Sequence, residues 1–268
     1  MKKILTLLLL TIGISLTAQR YRPAKIIFKD SSSRNGLIEN FLGYDEIFNP
    51  GAFKKRILFK KTARSRRELL DTKKIDRIIL LDKNMDVKAI FDFVPIKEFY
   101  LLKRSLPLTK KTKTKFLPLW FETEKYRVYK YTKIITGQGA SKQTIVYIRH
   151  KGQNYAVPFV HEQSNVIVNA TYVQLINLLR IRAMQEFGKD CPAFLDYLKP
   201  LYQKYNAKDR ETRKQRTREY KKLRKSFKSK DEFEFYILMS YLKKYDELCG
   251  KKGQAAKQQS ENAKPKKQ

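Results

Sequence analysis

The spacing of the apolar residues changes once along this chain, near residue 165, and that change divides the fold into two kinds of structure. Between residues 24 and 160, short runs rich in Ile, Val, Phe and Tyr are separated by polar breaks. Several of these runs alternate with the period of two that a half-buried strand needs. Beyond residue 165 the apolar residues recur three and four apart, the spacing that lines one side of an α-helix. The predicted class is therefore α+β: an N-terminal antiparallel β-sheet or small barrel over residues 19–163, then a helical domain over 164–249.

Strands are expected at 24–29, 36–41, 56–61, 75–81, 87–94, 98–102, 117–122, 126–135, 144–150 and 155–160. Lys151-Gly152-Gln153-Asn154 reads as the turn of a hairpin joining the last two. Residues 62–67 and 109–115 read as longer basic loops. An outer-membrane barrel is a poor alternative, because its strands need about ten alternating residues with an uncharged lipid face and the expected strands are shorter and rich in lysine. In the helical part, Thr171 with Gln174 has the form of a capping box, and Val173, Ile176, Leu179, Ala183 and Phe187 line one face up to Gly188. Cys191-Pro192 opens a second helix, which Pro200 is expected to kink or divide. Ser229 with Glu232 opens the last. The Lys-, Gln- and Ala-rich tail, 250–268, lacks apolar periodicity and is expected to be disordered.

Residues 1–18 have the three parts of an export signal. Lys2 and Lys3 precede an uncharged run from Ile4 to Leu16, and small residues follow at Ser15, Thr17 and Ala18. The run is shorter than the roughly 20 residues of a membrane-spanning helix, so cleavage near Ala18 is expected rather than a retained anchor. No cysteine lies near the cut to carry a lipid. The mature chain is then expected in the periplasm or at the outer-membrane periphery.

Charge is the loudest compositional feature, a formal +33. The excess is spread through the chain, with 32 basic and 14 acidic residues over 20–163 and 25 and 12 over 164–268. Such a field attracts polyanions, although it serves solubility equally well. Its densest stretch, 208–230, holds twelve basic and three acidic residues. Tyr220, Leu223 and Phe227 are its only apolar residues at helical spacing. If that stretch is a helix, Arg213, Lys214, Arg216, Arg218, Lys221 and Lys222 are the candidate polyanion-binding residues; the alternative is a solvated helix with one packing stripe.

Gly36-Leu37-Ile38, Asn49-Pro50, Ile57-Leu58-Phe59-Lys60 and Ile75-Asp76-Arg77-Ile78 follow one another as a G-x-I strand, an N-P turn, an I-x-F-K strand and a closing strand. Phe187-Gly188-Lys189-Asp190-Cys191-Pro192 and Tyr245-Asp246-Glu247-Leu248-Cys249 follow later. This order resembles a family of signal-peptide-bearing exported proteins of Gram-negative Bacteroidota. The resemblance implies location and domain order and brings no activity with it. The basic 208–230 stretch and the lysine-rich tail depart from the pattern.

Cys191 and Cys249 are the only cysteines, each at a predicted helix end, and an exported chain meets an oxidising compartment. A disulfide is the favoured reading, against two free thiols or a metal pair, for which a nearby histidine is lacking. His150 and His161 flank the last hairpin without a nucleophile or further ligands at useful spacing, and read as ordinary strand residues. Gly137-Gln138-Gly139-Ala140-Ser141 lacks the Lys-Ser/Thr of a phosphate loop and misplaces its serine for a nucleophile elbow. Glu122 with Glu124, and Asp82 with Asp86, are the carboxylate pairs weighed for acid–base work. The run Tyr126-Arg127-Val128-Tyr129-Lys130-Tyr131 suits either stacking on bases or sugars or an exposed sheet face. No catalytic, cofactor-binding or metal-ligating set is expected. The reading is a non-enzymatic envelope protein with an anionic partner: lipopolysaccharide, anionic lipid or an acidic protein. Extracellular nucleic-acid binding and an envelope hydrolase are its rivals.

Overall fold

The computed structural model describes residues 21–39, 56–100, 106–135, 141–163 and 168–250. Residues 1–18, where an export signal is expected, Asn49-Pro50, residues 137–140, the side chain of His161 and the tail from 251 lie outside the described residues. The strands are β1 (Tyr21–Phe28), β2 (Ser33–Glu39), β3 (Arg56–Lys60), β4 (Glu68–Asp71), β5 (Ile75–Leu81), β6 (Val87–Ile96), β7 (Lys113–Glu122), β8 (Tyr126–Ile135), β9 (Ser141–His150) and β10 (Val157–Gln163). The helices that follow are α1 (Ala170–Phe187), α2 (Pro192–Asn206), α3 (Arg210–Lys225) and α4 (Lys230–Cys249). The ten strands hydrogen-bond in the order β10-β9-β8-β7-β6-β5-β1-β2-β3-β4. This is the α+β arrangement, with the sheet open rather than closed into a barrel.

The chain forms two compact units. The first falls within Met1–Ile96, Thr112–Thr123 and Arg127–Gln143, the second within Lys97–Lys111, Glu124–Tyr126 and Thr144–Gln268. Most of β9 and all of β10 thus group with the helices.

In the first unit the alternation seen in sequence becomes cross-strand rows. Ile26 on β1 faces Ile78 on β5, which faces Phe91 on β6. Ala24, Leu80 and Ala89 form the next row on the same face. Ile26, Ile78, Phe91, Ala24 and Leu80 join Ile38, Ile57, Phe59, Leu70 and Ile75 in one buried cluster drawn from β1 to β6, with the partly buried Ala89 packed against it. Ile26, Ile38 and Ile78 are fully buried, each contributing about 1.5–3 kcal/mol of transfer free energy. Gly36 is demanded by this packing: a Cβ there would lie 2.4 Å from the Lys60 carbonyl oxygen and 2.6 Å from the Phe59 ring.

Three elements differ most from the sequence reading, while several other strands start or end about three residues away from their expected bounds. The edge strand β4 pairs with β3, Ile57 opposite Leu70 and Phe59 opposite Glu68. Its sequence, Glu-Leu-Leu-Asp, carries no alternation to reveal it. Strand β7 begins at Lys113 instead of 117, because β6 runs on to Ile96 and pairs Lys115 with Val94 and Lys113 with Ile96. Around 98–100, by contrast, there is only an isolated bridge between Phe99 and Leu108.

In the second unit, α1 packs on β10, α2 and α3, and α2 packs on α4. The cap of α1 is Asn169, whose side chain accepts from the Tyr172 N–H at 2.9 Å, in place of the expected Thr171. Asn169 comes first in the chain with the extended backbone a cap needs. Helix α2 runs unbroken through Pro200 to Asn206. Ser229 caps α4 by accepting from the Glu232 N–H at 3.0 Å, while the Glu232 carboxylate reaches back to the Lys228 N–H. At the other end of α1, the Gly188 N–H donates to the Met184 carbonyl. A Cβ at Gly188 would lie 2.4 Å from the Phe194 ring. Phe187, Phe194 and Tyr245 then pack with ring centroids 4.9 and 5.3 Å apart, beside a Cys191–Cys249 disulfide with Cα atoms 6.0 Å apart. No helix among the described residues is long and apolar enough to cross a membrane.

Candidate polyanion interface

The dense basic stretch forms α3. Asp209 caps it, accepting from the Thr212 N–H at 2.8 Å, and those hydrogen bonds hold the Asp209 carboxyl below the usual carboxylate range. Lys222, Arg224 and Lys225 occupy the last turn, where cations complement the helix dipole.

Packing sorts the cations of this helix into two sets. Arg216 is buried, with 3% of its surface exposed. Its Nε donates to the Thr212 carbonyl at 3.1 Å, its Nη2 to the Ala207 carbonyl at 3.0 Å, and its Nη1 to the Lys204 carbonyl. The last two acceptors lie at the C-terminus of α2, where the helix has no intrahelical donors left to offer. Arg216 therefore caps α2, and its place among polyanion-binding residues is corrected: it is buried, and three of its five N–H donors are taken by backbone carbonyls. Arg213 is half-buried and donates from Nη2 to the Thr171 hydroxyl at 3.3 Å. Arg224 is half-buried as well, with its guanidinium 5.8 Å from the Phe233 ring centroid and Nη1 donating to the Phe227 carbonyl.

Lys214, Arg218, Lys221 and Lys222 are exposed, and so is Lys225. Lys214, Arg218, Lys221 and Lys225 recur four, three and four apart, which places them on one line of the helix surface with Lys222 beside it. The line runs from Lys214 to Lys225, about 16 Å at helical rise. Glu211 approaches Lys214 at 3.6 Å, a surface pair of little energetic weight. Lys225 was missed as a candidate in the sequence reading, although the four–three–four spacing carries it.

Beneath α3 lies a buried ion pair. Arg180 on α1 is fully buried, and its Nη2 donates to both oxygens of Glu234 on α4 at 2.5 Å. Desolvation opposes the charge of Arg180, but Glu234 outweighs it and the guanidinium is held above its ordinary pKa. The rings of Phe233 and Tyr220 lie 5.8 and 6.0 Å from the Arg180 guanidinium. Tyr220 in turn packs edge-on against Phe233 at 5.2 Å, fastening α3 to α4.

The other candidate groups have structural occupations. Tyr126, Tyr129 and Tyr131 are 4%, 0% and 5% exposed, so that run is core and neither a stacking platform nor an exposed face. Tyr129 donates to Asp92 at 3.0 Å. Asp92 also accepts from Arg77 at 2.6 Å, and Glu122 accepts from Arg77 and Arg127 at 2.9 Å each. These partners, Arg77 first, hold the Glu122 carboxyl low, the reverse of what a general acid needs. Asp82 accepts from the backbone of Asn84 and Asp86 and shapes a turn. His150 Nδ1 accepts from the Gly152 N–H at 3.2 Å, and the imidazole packs against Phe187 and Tyr245. Among the described residues, no three His, Cys, Asp or Glu side chains converge as metal ligands would.

No family model matches this chain, and no curated protein or solved structure matches it significantly.

Proposed function

We propose that this chain is an exported, non-enzymatic component of the cell envelope that binds an anionic partner through the outer line of α3. One observation carries the reading: Lys214, Arg218, Lys221, Lys222 and Lys225 are all exposed on a helix whose other side is held by Arg213, Arg216 and Tyr220. Cations that serve only solubility need not share a line. The preponderance of lysine suits diffuse negative charge rather than the planar, bidentate recognition at which arginine excels. The apparent export signal and the resemblance to exported proteins of Bacteroidota support an envelope location. Nucleic-acid binding is the weaker reading, because the tyrosines that would stack on bases are buried.

The test changes Lys214, Arg218, Lys221 and Lys222 together to Gln and leaves Arg213 and Arg216 in place. Glutamine nearly preserves helix propensity. The variant should keep its circular dichroism and elute from heparin at lower salt than the parent. Retention of both proteins should fall steeply as the Debye length shrinks from roughly 10 Å at 0.1 M to 3 Å at 1 M. Unchanged elution of the folded variant would reduce the line to a solvated face. Export is tested separately: protein from the native cell should begin at Gln19 or a close neighbour, and intact Met1 would refute it.

A further inference from the structure

A cavity of about 190 Å³ lies in the second unit, lined from β9, β10 and α1. Ile145 and Tyr147 come from β9, two residues apart and so on one face of that strand. Phe159 comes from β10, Leu179 from α1, and Glu98 with Phe99 from the arm that follows β6. Backbone hydrogen bonds fix that arm in place. The Lys97 N–H donates to the Ala156 carbonyl at 3.0 Å, and the Thr109 N–H to the Glu98 carbonyl at 2.8 Å. The Tyr100 N–H donates to the Pro107 carbonyl at 2.9 Å, and the Glu98 N–H to the Thr109 hydroxyl at 3.1 Å. Ile145, Tyr147, Phe159 and Leu179 are buried, so the walls are core residues around a space they do not fill. Protein interiors leave few voids larger than a water molecule, and an apolar one offers water too few hydrogen bonds to hold it.

We propose that this cavity binds a small neutral aromatic molecule with one hydrogen-bond donor, of the size of an indole or a phenol. Size sets the upper bound: an apolar cavity of about 150 Å³ holds benzene, so this one takes about eight or nine non-hydrogen atoms. Phe99, Tyr147 and Phe159 offer ring faces and edges, which favours an aromatic guest over an aliphatic one. Among the described residues, Glu98 is the one charged side chain in the lining. It is engaged within the fold as well, and a carboxylate's roughly four acceptor sites serve a guest's donor alongside that contact. An anionic guest would meet a like charge there, although the chain as a whole carries +33. The cavity shares no residue with the cations of α3, and the proposal stands whether or not those bind a polyanion.

The experiment titrates indole into the full chain and follows the methyl resonances of isoleucine and leucine by NMR. Indole should bind saturably at one site, shifting Ile145 and Leu179 and leaving Ile26 and Ile78, in the core of the first unit, where they were. Indole-3-acetate should bind about tenfold more weakly, or less, because its carboxylate faces Glu98. Adventitious attraction to a basic protein would give the opposite order. Leu179→Trp puts an indole ring of the protein's own into the space and should abolish binding while circular dichroism is kept. The shifts at Ile145 and Leu179 in the parent decide the matter even if that variant does not fold. No saturable binding up to the solubility of indole, or binding that leaves Ile145 and Leu179 unmoved, would overturn the site. So would binding that survives in folded Leu179→Trp. Indole-3-acetate binding as tightly as indole would overturn the part given to Glu98, and with it the choice of a neutral guest.

Discussion

Glu234→Met removes the counter-charge of a guanidinium that has no access to water. Arg180 is fully buried and Glu234 is 5% exposed, so neither charge can be resolvated without opening the helical unit. Breaking such a pair from one end costs about 3–5 kcal/mol. That is a large part of the roughly 5–15 kcal/mol that holds a domain folded, and at about 2–4 °C per kcal/mol it lowers Tm by roughly 6–20 °C. Arg180→Met should cost a comparable amount, because it strands the Glu234 carboxylate instead. The double variant replaces both charges by flexible apolar side chains and should recover most of the loss, since neither desolvation penalty remains. Urea unfolding of the four proteins, followed by circular dichroism, closes the cycle. Additive losses in the double variant, or single losses below about 1 kcal/mol, would refute the claim that the two groups stabilise each other in a dry environment.

Three further outcomes follow from the packing. Cys191→Ser, Cys249→Ser and the double variant should lower stability equally, by about 4 kcal/mol in the chain-entropy model for the 58-residue span; clearly additive single effects would reject the shared bond. Gly36→Ala should cost about 1–3 kcal/mol through overpacking against Lys60 and Phe59; Gly152→Ala is the control, because its Cβ would approach nothing closer than His150 at 3.4 Å. Burial holds the His150 imidazole below its ordinary value of 6.5, with Asp190 opposing and Lys125 adding to the effect. The unfolded chain then binds the proton more readily. The stabilisation is complete above about 6.5 and is lost as pH falls through the depressed folded value. Thermal melts between about pH 7 and pH 5 should therefore fall less for His150→Gln than for the parent, and parallel curves would remove His150 from the account.

The sequence by itself determined whatever depends on neighbours along the chain. The single change of period, the strands at 75–81 and 126–135, the turn at Lys151-Gly152 and the Ser229 cap are local patterns, and each appears where the pattern put it. The cysteine pair was legible too, because two cysteines at helix ends leave one partner each. Only the tertiary structure decided which residues face inward. Tyr126, Tyr129 and Tyr131 alternate with charges as an exposed face would, yet they are core. The Asp92, Arg77 and Arg127 side chains brought together from three strands give part of that run polar partners instead of water. Strand β4 exists only because β3 offers it hydrogen bonds, which a four-residue run with no alternation cannot advertise. On α3 the twelve cations of 208–230 look equivalent in one dimension. In three dimensions the uncapped carbonyls of α2 take Arg216, and the outer line is left to the solvent. A charge's availability depends on what packs against it, and that partner lies 9 to 12 residues away for Arg216 and 54 for Arg180.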